Sequence, residues 1–378
     1  MLSLLLLGLL TQLPSDSAAP GLGSCRACHP LIVDTFKETA HYQTSSRADA
    51  STVAGDFTAG HNVLRTRSPG VFFNLRQQEG AFYETGVDSS SGASRTERID
   101  LVVGSGRRGQ TYLYWRNGLL FELPVSYLTR LQQWINSPGY PDGQIDFGRV
   151  IEPRCLECHS TSFAMSRDRR VRRYSGDYQL GITCEKCHGD ARRHVQYHTA
   201  HPGETRGQFI FNPARATRTR RMDLCALCHS GPRDLKRPPF SFRPGDRLDD
   251  FLFADTGRAT PDVHGNQVGL LQRSRCFRSS IHMSCSTCHD VHRPQRDLAS
   301  FVPKCLQCHE TSRHPNAAAI GARLTGLCVD CHMPNQRSTA IQINTPTRQS
   351  SLYFRSHAIG IYRDVAAELL QSSKPSGN

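Results

Sequence analysis

Residues His282 to His292 read HMSCSTCHDVH, three histidines and two cysteines within eleven positions. Cysteine and histidine at such short spacing serve either a zinc site or a covalently attached haem. The rest of the chain decides. C-x-x-C-H occurs seven times: CRACH (Cys25–His29), CLECH (Cys155–His159), CEKCH (Cys184–His188), CALCH (Cys225–His229), CSTCH (Cys285–His289), CLQCH (Cys305–His309) and CVDCH (Cys328–His332). Of the 15 cysteines, only Cys276 stands outside these motifs.

The chemistry explains the spacing. Two thiols three positions apart can form thioethers to the two vinyl groups on one porphyrin edge, and the histidine that follows offers an axial nitrogen to the iron. Zinc needs C-x-x-C pairs closing four-ligand sites. It does not require a histidine after every second cysteine, and seven pairs would leave a half-site. Thioredoxin-like pairs call for a βαβ setting and leave the histidine unexplained. The sequence therefore predicts seven covalently attached haem c groups. The thioether residues are Cys25, Cys28, Cys155, Cys158, Cys184, Cys187, Cys225, Cys228, Cys285, Cys288, Cys305, Cys308, Cys328 and Cys331. The proximal iron ligands are His29, His159, His188, His229, His289, His309 and His332. Cys276 reads as a plain thiol.

Composition agrees. The chain is 378 residues long with 38% hydrophobic residues, lean for a large side-chain core. Haems, as flat apolar bodies, can supply the missing interior. The net charge of +13 would ordinarily point to nucleic acid, an anionic membrane surface or an anionic ligand. Seven haems bring about 14 propionate charges, which compensate it. Nucleic acid is therefore not expected as a partner.

Leu2 to Leu10 is an apolar run of signal-peptide length, followed by small residues with a cleavage point after Ser17 or Ala18. It lacks the usual basic start, since no Lys or Arg precedes Arg26. The reading is a signal peptide over 1–18 and a periplasmic or otherwise extracytoplasmic protein.

Ten histidines remain for the sixth iron positions, enough for bis-His ligation throughout. That ligation gives lower potentials than His/Met. The candidate distal ligands are His41, His61, His194, His198, His292, His314 and His357, with His264 and His282 behind them. PLIVDTFKETAH predicts a helix starting at Pro30 and ending at His41. RRHVQYHTAHPG predicts a helix carrying His194, His198 and His201 on one face, stopped by Pro202 and Gly203. His292 is too near His289 to serve the same haem and is expected at a neighbouring one.

The first two motifs are 130 residues apart, and the other five follow the second closely. This predicts a first haem segment (19–45), a haem-free region (46–150), a six-haem core (151–335) and a C-terminal tail with a candidate distal ligand (336–378), frayed past 365. The haem-free region reads as β-rich, with a hairpin turning at Asn117-Gly118 and a short amphipathic helix over VSYLTRLQQWIN. GSGRRG at 104–109 matches a dinucleotide fingerprint, but a strand pattern follows it where that site needs a helix, so it reads as a strand connection. The expected fold class is mainly α, with much irregular structure around haems and a small β-rich insertion in the N-terminal half.

Three segments, GITCEKCHGDARRH, LQRSRCFRSSIHMSCSTCHDVH and CVDCHMP followed by SHAIGIY, resemble multihaem cytochromes c related to the tetrahaem cytochromes of ammonia oxidisers, hydroxylamine oxidoreductase and pentahaem nitrite reductase. The resemblance covers roughly 25–45 and 150–360. It implies stacked haem pairs, bis-His ligation at most irons, and His357 as a distal ligand. The C-x-x-C-K catalytic motif of the nitrite reductases is missing, and there is one haem motif fewer than in hydroxylamine oxidoreductase. The expected function is electron transfer between redox partner proteins, membrane-associated ones included. The alternative is a haem-dependent oxidoreductase acting on a small nitrogen or sulfur oxyanion at one five-coordinate haem.

Overall fold

The computed structural model describes residues 21–166, 173–254, 261–344 and 349–371. The signal-peptide reading at 1–18 lies outside these residues, as does the end of the tail.

Between residues 45 and 136 the chain runs as nine strands: β1 (Ser45–Arg47), β2 (Val63–Arg65), β3 (Val71–Gln78), β4 (Ala81–Asp88), β5 (Ala93–Ile99), β6 (Leu101–Val103), β7 (Gln110–Arg116), β8 (Leu119–Leu128) and β9 (Gln133–Asn136). They form a four-stranded sheet, β2-β3-β4-β5, and a five-stranded sheet, β1-β6-β7-β8-β9. Pairing is antiparallel throughout. The chain changes sheet at Asp100, the one residue between β5 and β6.

The two-residue period of a strand makes this a sandwich. Phe73, Leu75 and Phe82 of one sheet meet Tyr112, Tyr114, Leu123 and Val125 of the other in one buried cluster. Each such side chain contributes about 1.5–3 kcal/mol by leaving water. The same period turns Glu84 inward between Phe82 and Gly86, a carboxylate in an apolar core.

The outer face of the five-stranded sheet is also apolar. Leu101, Leu113 and Leu120 pack on Leu156, Phe163 and Tyr174. Leu156 lies inside the second C-x-x-C-H motif, so the sandwich is the wall against which that motif is set. Phe163 and Tyr174 belong to β10 (Ser160–Met165) and β11 (Tyr174–Leu180), a hairpin that follows the motif.

Beyond residue 181 the secondary structure is short helices joined by long connections, and each of the last five motifs lies at a helix. Arg218–His229 is the longest of them; Met222, Ala226 and Leu227 pack there with Phe242, Leu248, Phe251, Leu252, Val268 and Leu271. A last hairpin, β12 (Asn335–Asn344) and β13 (Gln349–Arg355), precedes a helix at Arg363–Gln371.

Several expectations hold. The β7–β8 turn has Asn117 and Gly118 at φ 54° and 74°, the paired positive values of a type I′ turn. GSGRRG links β6 to β7, and a Cβ on Gly104 would sit 2.6 Å from the Gly109 carbonyl oxygen. The helix carrying His194 and His198 spans Arg192–Ala200.

Other expectations need correction. The chain is mixed helix and antiparallel sheet, not mainly α, because the haem-free region is a full two-sheet sandwich. VSYLTRLQQWIN is not a helix. It is the end of β8, a tight turn with Gln132 at φ 50°, and β9. Val125, Tyr127 and Trp134 reach the sandwich core from it, and ladder pairing outweighs its helical spacing. The helix beginning at Pro30 ends at Phe36, short of His41. The chain past 365 continues as helix to Gln371.

Candidate haem-binding sites

The motifs fold as single helical turns. The histidine N–H bonds back to the first cysteine carbonyl at 2.8 Å for His29, 2.9 Å for His289 and 3.0 Å for His309. In such a turn positions i, i+3 and i+4 share one face, so both thiols and the imidazole of a motif address one body. Among the described residues no three His, Cys, Asp or Glu side chains converge as a zinc site requires.

Four proximal histidines each face a second histidine ring. His41 and His229 stand 6.0 Å apart between centroids, His292 and His188 6.1 Å, His357 and His289 6.0 Å, and His314 and His332 6.1 Å. Two imidazoles on opposite sides of one metal, each nitrogen at about 2 Å, have centroids roughly 6 Å apart. The donor sets therefore fit bis-His iron. Burial first, then neighbouring histidines, hold His41 and His357 down to about 4, so both rings are neutral donors near pH 7.

Each pair joins distant segments. His41 follows the first motif but faces the fourth. His292 follows the fifth motif and faces the third, and the Thr35 hydroxyl donates to its carbonyl at 2.8 Å. His357 is fixed by Ser274, whose hydroxyl donates to the His357 carbonyl at 2.8 Å and accepts from the Ile359 N–H at 2.7 Å.

Backbone acceptors orient the proximal rings. His188 Nδ1 lies 2.9 Å from the Phe211 carbonyl oxygen and His332 Nδ1 2.8 Å from that of Gly360. These contacts leave Nε2 for metal. At His159 the partner is a side chain, the Thr44 hydroxyl at 2.9 Å, while the Ser45 hydroxyl donates to the His159 carbonyl at 2.6 Å. The segment entering β1 thus aims this proximal ring.

His29, His159 and His309 have no second histidine ring at the 6 Å spacing among the described residues. His159 is held down to about 4 by burial, then by His264 and His229. His264 stands 5.3 Å from the Phe354 ring, over which the Arg108 guanidinium lies at 4.4 Å.

The remaining candidates are placed as follows. His194 Nδ1 lies 2.8 Å from the Gln208 carbonyl oxygen, leaving Nε2 free, and both His29 and His194 lie within electrostatic reach of His188. His198 instead accepts the Gln208 N–H on Nε2 at 3.3 Å, and His201 stacks on Tyr197. His61 is exposed in the sandwich, 4.0 Å from Asp56, and makes no contact with a motif among the described residues.

The motifs touch one another. The Cys25 thiol is held down by Cys184, Cys158 by Cys228 and Cys285 by Cys225. Thioether sulfurs carry no proton, so these pairings matter as adjacency. Cys225 also lies within reach of Cys187, Cys288 of Cys308, and Cys305 of Cys328. All seven motifs therefore form one connected set, with the second attached at the fourth.

Two family models match parts of the chain: "Cytochrome c554 and c-prime" over residues 142–189 and "Doubled CXXCH motif" over 301–337. No curated protein matches the sequence. Among solved structures, the crystal structure of the outer cell wall cytochrome OcwA matches with a TM-score of 0.59 at 14% identity, covering 94% of this chain and 81% of that one. An undecahaem cytochrome from the S-layer of Carboxydothermus ferrireducens matches with a TM-score of 0.43 at 15% identity, over 94% of this chain and 60% of the other. The chain shares its fold with OcwA, and its C-x-x-C-H motifs attach c-type haem.

Proposed function

We propose that this multihaem c-type cytochrome is an extracytoplasmic electron carrier with seven haems, most of them bis-His, related to the hydroxylamine oxidoreductase and pentahaem nitrite reductase group. When bound, the haems supply one-electron redox chemistry. The observation that carries the reading is the connected set of motifs: thiols of different motifs interact at three places, which would hold the attached groups close together. The protein's own residues would fix that spacing, and His41, His292, His314 and His357 would serve as the second histidine ligands. Among the described residues no helix is long and apolar enough to cross a membrane. Redox proteins, membrane-associated ones included, are the partners that fit. Intact mass and metal analysis of the purified protein test the reading: seven haems with seven irons and no zinc are expected, and fewer haems or stoichiometric zinc would refute it.

One observation favours a second reading, an oxidoreductase centred on the haem of His159. That ring has no facing imidazole at 6 Å, and His264 and the Arg108 guanidinium flank Phe354 nearby. A cation and an imidazole close to a haem without a second histidine ligand would suit a small oxyanion. Nitrite or sulfite, added to the ferric protein, would then perturb a high-spin signal; a wholly low-spin spectrum would remove this reading.

A further inference from the structure

The second, third and fourth motifs interlock through the residue before each second cysteine: Glu157, Lys186 and Leu227. Glu157, with a side chain only 3% exposed, takes Arg154 Nη1 at 2.6 Å and the Phe240 N–H at 2.6 Å. Arg154 also donates to the Leu227 carbonyl. Lys186 places its ammonium 4.9 Å from the centroid of the same Phe240 ring and 3.5 Å from the Thr161 carbonyl oxygen. It lies within electrostatic reach of Glu157 and of Cys228, Cys158 and Cys187, attachment residues of three motifs.

Two carboxylates belong to these motifs: Glu157 is taken by Arg154, and Glu185 accepts the Thr183 hydroxyl at 2.7 Å. Lys186 forms no ion pair with either among the described residues, so its charge acts on the three attachments directly. Reduction of a ferric haem takes one electron from the reductant and removes one positive charge from the iron site. A fixed cation with little water around it favours the reduced form, because the interaction is strong at low dielectric.

We propose that Lys186 makes the junction of the second, third and fourth haem attachments the most easily reduced part of the chain, where electrons collect before leaving along either branch. The inference rests on the electron-transfer reading and goes beyond it by naming where charge is held.

The test is spectroelectrochemical titration of the holoprotein and of its Lys186→Gln, Lys186→Arg and Glu157→Gln variants, with haem content and low-spin spectra checked in each. Lys186→Gln is expected to lower the highest midpoints on the order of tenfold in the reduction equilibrium, ~59 mV for a one-electron couple. Lys186→Arg should restore them, and Glu157→Gln should move them up. The Glu157 variant reports independently where Lys186→Gln fails to assemble. No change in the highest midpoints, or an equal displacement of all midpoints, would overturn the proposal. Failure of the electron-transfer reading looks different: the wild-type haems would then fail to reduce reversibly.

Discussion

The His41 and His229 imidazoles face each other with centroids 6.0 Å apart, although one belongs to the segment after the first motif and the other to the fourth. The N-terminal segment is thereby pinned across the haem core, and the sandwich that follows it is anchored at both ends. Replacing His41 with Ala should free one axial position only. The expected result is a single new high-spin haem that binds carbon monoxide when reduced, with the other haems unchanged. An unaltered low-spin spectrum would show that His41 is no ligand.

Ser274 is 1% exposed and holds the His357 segment through two bonds of 2.7–2.8 Å. Ser274→Ala removes both and leaves the His357 carbonyl and the Ile359 N–H only their mutual 2.9 Å bond, a loss of about 0.5–1.5 kcal/mol per hydrogen bond. The His357–His289 pair should loosen. A partial high-spin signal, rising with temperature in variable-temperature absorption spectra, is expected; wild-type spectra across the range would count against this support.

Thr44 places a side-chain hydroxyl 2.9 Å from Nδ1 of the His159 ring, where His188 and His332 use carbonyls. Thr44→Val keeps the shape and removes the hydroxyl. His159 should then donate less strongly, and its haem should shift to higher potential with no change in haem content. Redox titration resolves this, and an unmoved set of midpoints would contradict it.

Glu84 is fully buried, with both carboxylate oxygens lacking a hydrogen-bond partner, and burial pushes it well above the usual carboxylate range. Burial raises Glu122 to about 7, against the lowering effect of Arg149. Both bind a proton more tightly folded than unfolded. The stability they contribute is therefore full below about pH 4.5 and is lost as pH rises toward and through their folded values. Hydrogen exchange of the β4 and β8 amides should show protection falling from pH 5 to 8, after correction for intrinsic exchange. Glu84→Gln should flatten part of that fall and raise protection at pH 8 by about 1–3 kcal/mol. A Gln variant less protected at pH 8 would mean the carboxylate is needed.

The motifs were legible because thioether chemistry fixes their spacing within five residues. Strand alternation and the Asn117-Gly118 turn revealed the β-rich region and its hairpin, but not that its strands divide into two packed sheets. The helix expected at 125–136 failed because Val125, Leu128, Trp134 and Ile135 suit either period, and only sheet partners decide. The pairing of His41 with His229 or His292 with His188 was not legible, since it is set by three-dimensional routing. The approach of His264 to His159 was not legible either, since nothing around Asp262-Val263-His264 marks it locally. His61 was named on residue type alone, and the structure places it exposed beside Asp56. The contribution of Thr44 and of the Lys186 junction left no sequence signal beyond residue type.

Low-temperature electron paramagnetic resonance of the fully oxidised protein tests the central claim most directly, because it reports axial ligation and haem–haem contact together. The account predicts predominantly low-spin bis-His haems whose signals are broadened by magnetic coupling between neighbours. Predominantly high-spin iron, or sharp uncoupled signals from isolated haems, would contradict it.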